Sequence, residues 1–128
     1  SMIAYGVEVL DENKQVVGGL VKVFDLETQR MKELTGHKSG ISDLEFSPDG
    51  LLMMTGSTDG TMKIWDGASG KDVLTISGHS KAIYRASFSP NGRRIVSSSR
   101  DGTARVWEAS SGKGFRPGAL TKQTKVTK

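Results

Sequence analysis

The stretch TGSTDGTMKIWD, residues 55–66, returns further along the chain as SSSRDGTARVWE, residues 97–108, with a hydroxyl, an Asp and a Trp at the same places. In both copies a His lies 22 residues before the Asp. A His, an Asp and a Ser or Thr are the side chains of nucleophilic catalysis, so the two copies pose a choice between an active site and a structural device. Working outward from them decides the fold. Residues 36–71 laid over residues 78–113 agree at 15 of 36 positions, with a constant offset of 42. Gly36-His37 meets Gly78-His79, FSPDG (46–50) meets FSPNG (88–92), and Trp65 meets Trp107. A period of that length marks a repeated supersecondary unit.

Within each unit, short segments rich in Val, Ile, Thr, Met and aromatic residues are separated by Ser-Pro-Asp/Asn-Gly, Asp-Gly and Gly/Ser-rich sequences. That punctuation predicts strands joined by tight hairpins. The second unit reads as strands over residues 41–46, 51–57, 61–65 and 73–77. The third reads as strands over 83–88, 95–99 and 104–107, after which GKGFRPGAL resembles a turn more than a fourth strand. Upstream, GLVKVFD (19–25) falls on GTMKIWD (60–66) with Phe24 in place of Trp, and IAYGV (3–7) suits the strand before it. A longer turn containing LDENKQVVGG is expected between those two, and the first unit is expected to lack its innermost strand. No stretch carries a sustained helical period. The Gly/Ser-rich stretches ending in Lys71 and Lys113 miss the G-x-x-x-x-G-K-[ST] spacing and are read as hairpin turns, not phosphate loops.

Taken together, the Gly-His dipeptides, Phe-Ser-Pro-Asp/Asn-Gly, Asp-Gly-Thr, Trp-Asp or Trp-Glu, and the spacing of 28 from each His to its Trp resemble the WD-repeat β-propeller family. The resemblance implies an all-β chain, a partial β-propeller of four-stranded antiparallel blades amounting to about two and a half to three blades. The units expected are a partial, degenerate first blade over 1–35, a second blade over 36–77, a third over 78–112 lacking a clear outer strand, and a flexible basic tail over 113–128. It also implies, in each complete unit, a buried hydrogen-bonded set running from Trp to hydroxyl to His to Asp. Here that set maps onto Trp65, Thr55, His37 and Asp59, and again onto Trp107, Ser97, His79 and Asp101. The family's usual protein-binding face maps onto Ser42 and Thr58 in one blade and Tyr84 and Arg100 in the next, with Lys38 and Lys81 at the rim.

Physical chemistry favours the structural side of the opening choice. An indole N–H, a hydroxyl, an imidazole and a carboxylate satisfy one another only when all are buried and fixed. A hydrolase needs one exposed nucleophile beside an oxyanion hole, whereas this set occurs twice, follows the repeat, and uses Thr in one copy. No catalytic residue is expected. Both His are spent in these sets and the scattered carboxylates show no ligand spacing, so neither a metal nor a cofactor is expected.

Composition adds bounds. The chain has 128 residues, 35% hydrophobic and 25% charged, which suits a folded soluble protein. It has no Cys, which excludes disulfides and points toward an intracellular site, cytoplasmic or nuclear. The longest run of large apolar residues, 51–54, is far below the ~20 needed to cross a membrane as a helix. The net charge of +4 is uneven: residues 1–112 carry 13 Lys/Arg and 14 Asp/Glu, while residues 113–128 carry 5 Lys/Arg and no acid. A basic tail can engage nucleic acid, but a solvated terminus is the commoner fate of such a segment.

The expected function is a non-enzymatic protein-protein interaction scaffold presenting a face to peptides or complex subunits. Two alternatives stand beside it: a regulatory or sensor propeller portion of a larger enzyme, and a nucleic-acid-associated factor using the tail. Because propellers close with about four to eight blades, two to three blades call for cover at their open ends. Further blades of a longer chain, a partner chain or self-association are the candidates. The opening Ser1-Met2 resembles the remnant of a cleaved tag, which favours the first.

Overall fold

The computed structural model describes residues 2–115. The expected flexible tail lies, from residue 116 onward, outside the described residues. Among them are ten strands and no helix. The strands are β1 (Met2–Leu10), β2 (Val16–Asp25), β3 (Arg30–His37), β4 (Ile41–Phe46), β5 (Leu52–Ser57), β6 (Met62–Asp66), β7 (Asp72–Ile76), β8 (Ile83–Phe88), β9 (Arg94–Ser99) and β10 (Ala104–Glu108). They form three antiparallel sheets in chain order: β1-β2-β3, β4-β5-β6-β7 and β8-β9-β10. The fold is all-β, and the three sheets are blades of a partial propeller, the middle one with all four strands.

The turns form for reasons visible in the residues. In FSPDG the Ser47 hydroxyl donates to Asp49 Oδ1 at 2.6 Å and accepts from the Leu52 amide at 3.0 Å, while Gly50 takes φ of 75°. FSPNG repeats the arrangement with Asn91 in place of the acid. After β6, Asp66 Oδ1 accepts from the amides of Ala68 and Ser69 and holds the GASGK hairpin closed. Short polar side chains of this kind imitate a backbone turn and fix where strands end.

The sheets stack face to face, and the burial pattern records it. Every residue of β5 after Leu52 is buried, and so are the first four of β6. Near-continuous burial is the mark of a sheet covered on both faces. Met53 and Trp65 pack with Val21, Val23 and Leu34 toward the first sheet. Met54, Met62 and Ile64 pack with Ile83, Ile95 and Trp107 toward the third. In β9, by contrast, Ile95, Ser97 and Ser99 are buried while Arg94 and Val96 are exposed, so this strand alternates with a period of two.

Two differences from the sequence reading have physical causes. LDENKQVVGG is not a long turn: Leu10 belongs to β1, residues 16–19 belong to β2, and the two strands pair as far as Leu10 against Val16. Only residues 11–15 turn, held by Asp11 Oδ1, which accepts from the amides of Asn13 and Gln15. Gly19 is a strand residue with a close neighbour, since a Cβ there would collide with the Ser39 carbonyl oxygen. In the third sheet, part of the stretch read as a turn lies along β10: Gly114 bridges Trp107 and the Phe115 amide donates to the Val106 carbonyl at 2.9 Å.

Candidate functional site

The eight side chains of the two polar sets come together as the spacing implies. His37 ends β3, Thr55 lies in β5, Trp65 in β6, and Asp59 in the hairpin between the latter two. The Trp65 indole donates to Thr55 Oγ1 at 2.9 Å, Thr55 Oγ1 lies 2.7 Å from His37 Nε2, and His37 Nδ1 lies 3.2 Å from Asp59 Oδ2. In the next sheet the corresponding distances are 2.7 Å for Trp107 to Ser97, 2.7 Å for Ser97 to His79, and 2.9 Å for His79 to Asp101.

The proton positions follow from the chemistry of the partners. The carboxylate beside Nδ1 can only accept, so Nδ1 is the protonated nitrogen, and Nε2 of the neutral ring accepts from the hydroxyl. Each chain thus runs in one direction and every member is used. Among the described residues no buried side-chain nitrogen or oxygen lacks a partner.

Thr61 and Thr103 complete the ends of these chains, and sequence reasoning did not assign them a place. Thr61 Oγ1 donates to Asp59 Oδ1 at 2.5 Å and Thr103 Oγ1 to Asp101 Oδ1 at 2.6 Å. The amides of Lys38 and Ser80 donate to the other carboxylate oxygens. Burial pushes the Asp59 carboxyl up, but His37, Thr61 and the Lys38 amide together hold it well below the usual carboxylate range. Asp101 is likewise held low, first by the Thr103 hydroxyl and then, against some burial, by His79. Ser57 and Ser99 are the other omission: their hydroxyls donate to the Gly40 and Ala82 carbonyls at 2.8 Å. All four residues are identities at the offset of 42, which is the signal that marks them.

Reach decides what this chemistry can do. Thr55 and Ser97 are 0% and 1% exposed, and each hydroxyl is held between an indole and an imidazole. Neither hydroxyl is exposed as a nucleophile would be.

The carboxylates that looked scattered in the sequence also have a use. Asp43 Oδ2 accepts from the Ala86 amide at 2.9 Å and Glu45 Oε1 from the Phe88 amide at 2.8 Å. Acids of β4 therefore satisfy backbone donors of β8, an edge strand of the neighbouring sheet. Lys63, buried beside Trp65, donates to Asp72 Oδ2 and Thr75 Oγ1, both at 2.7 Å.

The four positions of the predicted binding face are all exposed. Ser42 and Tyr84 fall where the registers of β4–β5 and β8–β9 shift, each skipped by the pairing in a β-bulge. A bulge re-aims its side chain, and Tyr84 is 58% exposed. Thr58 and Arg100 begin the hairpins that carry Asp59 and Asp101, with their amides bonded to the Gly40 and Ala82 carbonyls.

The family model described as "WD domain, G-beta repeat" matches residues 28–66 and 70–108. The chain belongs to that family. The WD-repeat sequence is 38% identical over 58 residues to WD repeat-containing protein SL1-17 of Schistosoma mansoni, covering 45% of this chain and 19% of that protein. It is 45% identical over 42 residues to Protein Mut11 of Chlamydomonas reinhardtii, covering 33% of this chain and 11% of the other. It is 38% identical over 48 residues to Ribosome assembly protein 4 of Saccharomyces cerevisiae, covering 38% and 9%. The WD repeats here therefore span a fifth or less of the length of these relatives. Among the described residues no helix is long and apolar enough to cross a membrane.

Proposed function

We propose that this chain is a segment of a non-enzymatic interaction scaffold, in which the two polar chains act as fasteners and the end face around Tyr84 and Arg100 receives a protein or peptide. The observation that carries the reading is a division of labour. His37, Asp59, His79, Asp101 and their hydroxyl partners are all engaged inside the fold. Tyr84 stands 58% exposed on a bulge with its ring available. Tyr and Arg are the side chains that most often anchor interfaces, and both positions sit on a rigid, fully hydrogen-bonded support.

The units proposed are the partial first blade over 1–35, the second over 36–77 and the third over 78–112. Further blades, a partner chain or a second copy would cover the open sheet faces. A place inside the cell, cytoplasmic or nuclear, is supported by the absence of Cys and by the printed names of two relatives. These are Ribosome assembly protein 4 and U3 small nucleolar RNA-associated protein 21 homolog. Affinity capture with the natural full-length protein and with its Tyr84→Ala, Arg100→Ala double variant tests the reading. Loss of one or more partners from the variant is expected, and an unchanged partner set would remove the proposed face.

A further inference from the structure

The end of the sheets that carries Tyr84 and Arg100 is one continuous surface. The Lys38 amide is bonded to Asp59 in the β5–β6 hairpin. Gly60 of that hairpin lies against the His79 and Lys81 carbonyls, each 3.1 Å from where a Cβ would stand. The Lys81 carbonyl accepts from Ser99 Oγ, and the Ala82 carbonyl from the Arg100 amide. Backbone contacts thus link Lys38, Lys81 and Arg100 into a rim that Tyr84 adjoins.

Charge on this rim is unbalanced for a structural reason. Its own carboxylates, Asp59 and Asp101, keep their negative charge but are tied into the hairpins, each accepting from a His, a Thr hydroxyl and two amides, so three exposed cations stand against two fixed acids. Lys38, Lys81 and Arg100 are exposed, and no described carboxylate forms an ion pair with them. The further acids of this end belong to the first sheet. Glu8 packs at Gly40, and the β1–β2 hairpin beyond it carries Asp11 and Glu12.

We propose that the occupant of this face is an acidic linear peptide, its carboxylates meeting Lys38, Lys81 and Arg100 and its chain crossing the Tyr84 ring. The proposal rests on the interaction-face reading above and adds the chemistry of the partner. Complementary potential favours such a ligand, and an exposed Tyr beside cations supplies the apolar contact that fixes its register. A nucleic acid is disfavoured at the same place. A phosphate backbone needs a sustained basic track, and here three cations give way to Glu8, Asp11 and Glu12 along the same end of the sheets.

The test uses the natural full-length protein and a random dodecamer peptide library displayed on phage. Selected peptides are expected to be enriched in Asp and Glu. As synthetic peptides they are expected to weaken severalfold between low and physiological salt. Charge reversal with Lys81→Glu and Arg100→Glu is expected to reduce binding about tenfold or more, with Trp fluorescence reporting an intact fold. Selected peptides without acidic enrichment that still lose binding on Tyr84→Ala would overturn the acidic ligand and leave the face standing. Peptides undisturbed by Tyr84→Ala and by the charge reversal would overturn both. Displacement of selected peptides by a twelve-nucleotide single-stranded oligonucleotide would overturn the proposal in favour of nucleic acid.

Discussion

At the scale of single residues, the decisive groups are two carboxylates that titrate abnormally because of their neighbours. Asp59 and Asp101 both bind a proton less readily in the fold than in the open chain. Their contribution is therefore complete above the ordinary carboxylate value near 4 and declines as pH falls from there toward the depressed folded values. The prediction is that a variant carrying Asp59→Asn and Asp101→Asn is less stable than the parent at pH 7. The gap in urea midpoint narrows as pH is lowered from 5 to about 2.5. A gap that stays constant over that range would mean that these acids titrate normally. The main members of each polar set were legible in the sequence because two copies at one offset identify partners that a single copy leaves anonymous. Thr61, Thr103, Ser57 and Ser99 carried the same signal, but a Thr after Asp-Gly or a Ser at a strand end reads equally well as ordinary turn chemistry.

At the scale of strands and hairpins, β4 and β8 fall where the pattern of apolar residues and turns puts them, and the other strands of the second and third sheets shift by a single residue at one or both ends. In the arm made by β1 and β2 the turn is shorter than expected, because Val-Val-Gly-Gly suggests a loop to any rule based on turn residues. Its glycines serve proximity instead. A Cβ on Gly6 would come within 2.5 Å of the Ile41 Cβ, whereas a Cβ on Gly50 would meet nothing within 4 Å. The two positions should respond differently. Gly6→Ala should cost about 1–3 kcal/mol by forcing the first sheet off the second. Gly50→Asn should stay within about 0.5 kcal/mol, because Asn tolerates the left-handed backbone and the space is open. Urea unfolding followed by Trp fluorescence measures both, and equal effects would contradict the close packing of β1 on β4. The bulges at Ser42 and Tyr84 left no mark in the sequence, since a skipped residue in a strand looks like any other.

At the scale of the molecule, the middle sheet is covered on both faces while the outer two are each covered on one. On the first sheet Ile3, Tyr5 and Met31 are about half exposed, an apolar face that stacked repeats normally bury. The isolated 128-residue chain is accordingly predicted to associate with rising concentration in analytical ultracentrifugation, and Ile3→Lys with Tyr5→Glu to shift it toward monomer. A monodisperse parent monomer would show that this face needs no cover. The repeat made the blade architecture legible, but the number of blades in the natural protein is not encoded in these two to three units.

The central claim is that the paired polar chains hold the sheets together and perform no chemistry. A double-mutant cycle between Thr55→Val and Trp65→Phe tests it most directly, with unfolding free energies measured in urea and Trp107 as the reporter. If Thr55 Oγ1 joins the indole to the imidazole, Thr55→Val strands both at about 1–3 kcal/mol for each group, while Trp65→Phe removes the indole donor and its packing. The double change should then cost less than the sum by about 1 kcal/mol or more. Single variants as stable as the parent, or effects that simply add, would contradict it.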